Sequence, residues 1–175
     1  MSTSRPSVYV SSPLGFTEFG RQALRELHRA LKDAEFHVRN PWDWPGQGDP
    51  AVTIKTADLL WTARIAGHGH DWDVSQEIAA RNVTELRASH AVLAVLDGSD
   101  VDSGVAAEVG YASAIGKPVV GIRTDERGTT DSPGHVVNLQ VAHLIDHSCA
   151  RRGRITRTIP EAIEALRTLT SSDHG

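Results

Sequence analysis

Cysteine is nearly absent from this chain: Cys149 stands alone among 175 residues, so no internal disulfide can brace the fold. No apolar run approaches the roughly 20 residues that a membrane-spanning helix needs. The opening Met1-Ser-Thr-Ser-Arg-Pro is polar and lacks the pattern of a secretory leader. Together these features predict a reducing, cytoplasmic setting and no membrane partner. A strong excess of charge of one sign is lacking as well. The 22 acidic and 18 basic residues leave a net charge of −4 without a dominant basic run, which argues against a nucleic-acid polymer as partner. No internal repeat or low-complexity tract is present. What remains is a composition close to the globular norm, 39% hydrophobic and 23% charged. The length suits one domain with a core of its own, spanning 1–175.

Apolar periodicity sketches the organisation. Ser7 to Ser12 reads as a strand closed by Pro13 and Gly15. Thr17 to Glu35 carries Phe19, Leu24, Leu27, Ala30 and Leu31 at helical spacing. Phe36 to Arg39 follows as a second strand, cut off before Pro41. From Trp42 to about Asp71 the pattern is broken by Pro45, Gly46 and Pro50, with only Ala57 to Ile65 helical. A connection this long suggests a lid or wall over a site. Val74 to Ala88 reads as a helix, Ala91 to Leu96 as a fully buried strand, Gly104 to Ile115 as a helix and Pro118 to Ile122 as another strand. Asn138 to Ile145 is of uncertain type, and Ile159 to Leu169 closes as a helix. The alternation predicts an α/β fold: a doubly wound, parallel, five-stranded sheet with helices on both faces, its ligand held at the carboxyl ends of the strands.

Three polar loops converge there: Ser11-Ser-Pro-Leu-Gly, Asp97 to Gly104, and Thr124 to Gly128. In the middle one, Asp102 or Ser103 is placed to cap the following helix. Gly104 and Glu108, four apart, share a helix face, so the missing side chain at 104 leaves room for substrate above the Glu108 carboxylate. A carboxylate in that position can attack an electrophilic carbon. Spacing alone equally allows a simple cap at Asp102 and a solvated charge at Glu108.

The phrases VYVSSPLGFTEFGR (Val8 to Arg21), LDGSDVDSGVAAEVGYA (Leu96 to Ala112), GKPVVGIRTDER (Gly116 to Arg127) and VNLQV (Val137 to Val141) occur in this order across most of the chain. Together they resemble the nucleoside 2-deoxyribosyltransferase family. That resemblance implies a flavodoxin-like fold and exchange of the base on a 2′-deoxyribonucleoside, with a free nucleobase as second substrate and no metal or organic cofactor. It implies that Glu108 is the nucleophile, forming a covalent 2-deoxyribosyl intermediate, and that Tyr9 hydrogen-bonds and orients it. It places Asp102 at the sugar's 5′-hydroxyl, joined by Asn138 from a neighbouring subunit, and hence a homo-oligomer of at least two chains. A carboxylate at 102 would repel a 5′-phosphate, favouring a nucleoside over a nucleotide. Where many family members carry an acid-base aspartate, this chain has Asn82, which can hydrogen-bond a base but cannot titrate. Asp97 and Asp73 are the nearest replacements; otherwise the reaction relies on bases that leave readily. An N-glycosidase and a non-catalytic nucleoside sensor are the competing functions.

Weaker features complete the reading. Ser11 and Phe16 are assigned to the substrate side, with Phe16 and Trp42 able to sandwich a base or to serve as core. His68, His70, Asp71 and Asp73 suggest a metal cluster, but they lack a second ligand group at a recognised spacing, so a glycine-rich loop is the simpler reading. Cys149 is taken as a packing residue, and Arg151-Arg-Gly-Arg as a solvated basic turn.

Overall fold

The computed structural model describes residues 5–43, 72–128 and 134–171. Five short strands, β1 Ser7–Ser11, β2 His37–Arg39, β3 Ala91–Val95, β4 Val119–Ile122 and β5 Arg154–Thr156, form one sheet in the order β2-β1-β3-β4-β5. Every neighbouring pair is parallel. Winding reverses between β1 and β3, where Val10 lies opposite Leu93 and Ser11 opposite Ala94. In a sheet of this kind the reversal leaves a crevice beyond the carboxyl ends of those two strands.

Parity along the strands decides which side chains face which layer. Val8 and Val10 of β1, with Leu93 and Val95 of β3, enter a core built with Leu24, Leu27 and Leu31 of helix α1 (Glu18–Asp33) and Ala162, Leu166 and Leu169 of helix α5 (Ile159–Thr170). Tyr9 of β1, with Val92 and Ala94 of β3, points the opposite way. That second core also takes in Leu86 of helix α2 (Trp72–Ala88), Val105, Val109 and Ala112 of helix α3 (Ser103–Ala114), and Val141 and Ile145 of helix α4 (Leu139–Arg151). Each fully buried aliphatic side chain contributes about 1.5–3 kcal/mol. Ser11, two residues after Tyr9, shares its face, so the hydroxyls of Tyr9 and Ser11 are both turned toward α3.

Local chemistry explains the helix ends. Thr17 caps α1 by accepting from the Gly20 N–H at 3.0 Å, and α1 ends where Glu35 takes a left-handed φ of 70°. Phe19, expected in the apolar stripe of α1, lies 87% exposed, because the buried stripe runs through Leu24, Leu27 and Leu31 instead. The uncertain stretch from Asn138 proves to be helical: Asn138 Oδ1 accepts from the N–H groups of Gln140 and Val141 and starts α4. The predicted basic turn is only partly one. Arg154 opens β5, whose Ile155 pairs with Gly121. The short polar phrase Arg-Ile-Thr hides an edge strand that apolar periodicity does not reveal. The chain enters β5 through a tight joint in which Cys149 and Ala150 hold left-handed φ values of 45° and 57°. The Ser148 hydroxyl accepts from the Val119 N–H at 3.0 Å. A Cβ on Gly153 would stand 1.8 Å from the Ile145 carbonyl oxygen, so only glycine fits there. No helix among the described residues is long and apolar enough to cross a membrane.

Candidate active site

Glu108 sits in the second turn of α3, directed at the carboxyl end of β1. Each of its carboxylate oxygens takes one hydroxyl donor from that strand. Tyr9 donates to Oε1 at 2.7 Å and Ser11 donates to Oε2 at 2.5 Å. Both donors are fully buried, so their rotamers are fixed by the packing around them. Hydrogen bonds to a charged acceptor are worth about 1.5–3 kcal/mol each, enough to hold the carboxylate in one orientation.

The electrostatics pull in two directions. Burial pushes the Glu108 carboxyl above the usual glutamate range; the hydrogen bonds from Ser11 and Tyr9 draw it back down, and the negative charge of Asp102 adds a smaller upward push. The Tyr9 phenol is driven far above its ordinary value, first by burial and then by the adjacent Glu108 carboxylate. It therefore stays protonated as a donor at every physiological pH. Desolvation leaves Glu108 more basic than a surface carboxylate, and more nucleophilic when ionised.

Beside Glu108, between α2 and α3, opens a cavity of about 230 Å³ lined by Val83, Leu86, Ala107, Glu108 and Tyr111. Its walls are otherwise largely aliphatic and aromatic. Tyr111, three residues after Glu108 and thus on the same helix face, was not singled out by its sequence; the Glu-x-x-Tyr spacing is the signal that could have found it.

Asp102 is the N-cap of α3: its Oδ1 accepts from the N–H groups of Gly104 at 2.9 Å and Val105 at 3.1 Å. It lies close enough for its charge to act on Glu108. A Cβ added to Gly104 would meet only Asp102 Oδ1, at 3.1 Å, so the space around position 104 opens beside Asp102. Asn82 falls on α2, half-buried, next to the cavity residue Val83 and one turn before Leu86. Asn138 caps α4, which packs against α3.

Three sequence expectations meet specific partners here. The Ser11 hydroxyl, expected on the substrate side, donates to Glu108. Phe16 and Trp42 form no sandwich. Their rings meet edge to face, at 85° and 4.6 Å between centroids, which leaves no slot for a base between them. Trp42 lies over Gly15, where a Cβ would come within 2.0 Å of the indole, and its Nε1 donates to the Ser12 carbonyl at 3.1 Å. It is a packing residue, while Phe16 remains 63% exposed at the rim. Asp97 is engaged by Thr124 and Asp125 rather than held ready as an acid: its Oδ1 accepts from both backbone N–H groups and its Oδ2 from the Thr124 hydroxyl.

His68, His70 and Asp71 lie outside the described residues. Among those described, no cluster of three His, Cys, Asp or Glu side chains is placed to hold a metal. Cys149 is partly buried, its Sγ accepting from an Arg152 guanidinium N–H at 3.4 Å.

Fold and site together define a flavodoxin-like α/β protein with a hydrogen-bonded carboxylate at the switch point of its sheet. The sequence profile of nucleoside 2-deoxyribosyltransferases matches residues 8–140, and the chain belongs to that family. A comparison with curated protein sequences found no match. Among solved structures, a conserved protein from Enterococcus faecalis V583 is similar with a TM-score of 0.67 and 22% identity, over 93% of this chain and 98% of that one. The 2-deoxyribosyltransferase of Bacillus psychrosaccharolyticus is similar with a TM-score of 0.61 and 17% identity, over 93% and 95%. A third, from Leishmania mexicana, also named a 2-deoxyribosyltransferase, has a TM-score of 0.52 and 22% identity, over 78% and 85%. At these identities the likeness establishes the fold.

Proposed function

We propose that this protein exchanges the nucleobase of 2′-deoxyribonucleosides through a covalent 2-deoxyribosyl ester of Glu108, a reaction of nucleoside salvage. The observation that carries this reading is the Glu108 carboxylate, desolvated and held by one hydroxyl on each oxygen. One oxygen attacks C1′ as the C1′–N bond breaks, its electron pair leaving with the base, which takes up a proton. The ring nitrogen of a second base then attacks C1′, the C1′–O bond of the ester breaks with its electron pair restoring the carboxylate, and the incoming base gives up its ring N–H proton to solvent. This is the double displacement of retaining glycosidases with a nitrogen acceptor. The missing 2′-hydroxyl eases the oxocarbenium-like transition state.

Tyr9 and Ser11 orient the nucleophile. Asp102 accepts the sugar's 5′-hydroxyl and disfavours a 5′-phosphate, and Gly104 keeps the approach to it open. Asn138 completes this grip in the site of a neighbouring subunit, so the working unit is a homo-oligomer. Asn82 hydrogen-bonds the base edge without titrating and Asp97 is engaged elsewhere, so the reaction favours bases that leave readily and take their proton from solvent. Phe16 contributes at most an edge contact from the rim.

Incubating the protein with 2′-deoxyinosine or thymidine and excess adenine, and separating the products by chromatography, tests the reading; 2′-deoxyadenosine is the expected product. No new nucleoside and no free base would refute it. Asn82 favours one other outcome worth scoring: base released at the same rate with or without adenine marks an N-glycosidase.

A further inference from the structure

We propose that Arg123 is a positioning residue for this site, clamping the loop that carries Asp102 to the chain that leaves β4. Arg123 follows directly on β4 and is only 3% exposed, an unusual place for a guanidinium. It is held mainly by backbone carbonyls. NH1 donates to Leu96 O at 2.5 Å, and NH2 donates to Gly98 O at 3.1 Å and to Arg127 O at 2.8 Å. The first two acceptors open the Asp97–Asp102 loop. Asp97 returns the connection, accepting from Thr124 N at 2.6 Å, Asp125 N at 2.9 Å and Thr124 Oγ1 at 2.7 Å. The loop is thus tied at its root by this two-way clamp and at its far end by Asp102 capping α3.

Stability alone does not account for this choice of residue. A buried cation is costly to desolvate, and its Nε has no hydrogen-bond partner. A methionine would avoid that cost but leave the Leu96, Gly98 and Arg127 carbonyls without this donor. What the guanidinium supplies is a planar fork that binds carbonyls from two loops in one geometry. Gly98, with φ 135°, makes the turn that brings its carbonyl into reach. Fixing the root of a loop this short fixes its end, so Arg123 sets where Asp102 stands relative to Glu108. In the proposed reaction, on which this consequence rests, the register of the 5′-hydroxyl over the nucleophile therefore depends on a residue that touches neither.

The test compares wild type, Arg123→Met and Thr124→Val, the last removing only the exposed hydroxyl bond to Asp97. Amide hydrogen exchange by NMR reads the clamp without any activity. Gly104 and Val105, whose N–H groups Asp102 accepts, are expected to exchange at least about tenfold faster in Arg123→Met and by a smaller factor in Thr124→Val, with β1 amides unchanged. The second readout is the ratio of kcat/KM for 2′-deoxyinosine to that for 2′,5′-dideoxyinosine. It is expected to fall about fivefold or more, toward the ratio of Asp102→Ala, whereas general loosening would lower both substrates equally. Unchanged exchange at 104 and 105, or an unchanged ratio with both substrates reduced, would overturn the proposal. Absence of turnover in wild type refutes deoxyribosyl transfer and not the clamp, and the ratio is then taken from calorimetric dissociation constants. If Arg123→Met does not fold, Thr124→Val carries both readouts.

Discussion

The phenol of Tyr9 and the carboxylate of Glu108 meet at 2.7 Å although 99 residues separate them in sequence. β1 supplies the donor, α3 supplies the acceptor, and the reversal of winding between β1 and β3 brings the two together. Removing the phenolic hydroxyl in Tyr9→Phe leaves the ring's packing intact and deletes one charge-assisted bond. Turnover is expected to fall roughly 10- to 100-fold, matching the worth of such a bond, with KM little changed. Steady-state kinetics on 2′-deoxyinosine with adenine check it.

Glu108→Gln keeps the shape of the side chain and removes the proposed nucleophile. A loss of at least about a thousandfold in base exchange is expected, with the fold retained. Because burial raises the native carboxyl above its unfolded value, the native state holds this proton more tightly than the unfolded chain does. The favourable contribution is complete below the unfolded value and is lost as pH rises through the raised native one. At pH 7 the ionised carboxylate is therefore a stability cost, and the amide variant should melt at a temperature equal to or above wild type. A markedly lower melting temperature would count against a desolvated carboxylate.

In the proposed reaction Glu108 must be ionised, so the acidic limb of the pH–rate profile should lie above the ordinary glutamate range. Ser11→Ala deletes the larger of the two hydrogen-bond effects that pull Glu108 down. Its limb should move further toward neutral pH, with the plateau rate reduced. A limb displaced toward lower pH would contradict the electrostatic picture.

Asp102→Asn separates charge from capping. The amide oxygen still accepts from Gly104 and Val105, so stability should change by a few tenths of a kcal/mol, against about 1 kcal/mol for Asp102→Ala. With the charge gone, 2′-deoxynucleoside 5′-monophosphates should begin to compete with nucleosides. Inhibition constants for the nucleoside and its monophosphate, measured on both proteins, provide the comparison.

Gly153→Ala places a Cβ against the Ile145 carbonyl in the joint before β5. The backbone must shift, at a cost of about 1–3 kcal/mol. Denaturant melts should show this loss.

Much of the fold was legible in sequence because the helical periodicity of α1 and the continuous apolar runs of β3 and β4 were strong. The apolar runs of β3 and β4 and the alternation of strands with helices point to a parallel sheet, and the four separated phrases point to the pairing of Tyr9 with Glu108, which meet at 2.7 Å. Where the signal was local and weak, the reading was silent or wrong. β5 is three residues long, two of them polar, and its hydrophobic content is a single Ile155. Phe19 has the right residue type on the wrong side of α1. The contacts of Ser11 with Glu108, of Asp97 with Thr124 and of Arg123 with Gly98 join residues 97, 27 and 25 apart in the chain, a relationship that spacing within any one segment cannot express.

The two residues proposed to hold the 5′ end of the sugar, Asp102 and Asn138, are both helix N-caps. Evolution can vary these positions cheaply only within the small set of side chains that cap well: serine, threonine, aspartate and asparagine. Every member of that set is a short hydrogen-bonding group, and among them the charge runs from neutral to negative. The fold thus confines drift at the substrate's 5′ end to a narrow vocabulary in which one base change in a codon can exchange preference for a hydroxyl against tolerance of a phosphate, while the scaffold loses almost nothing.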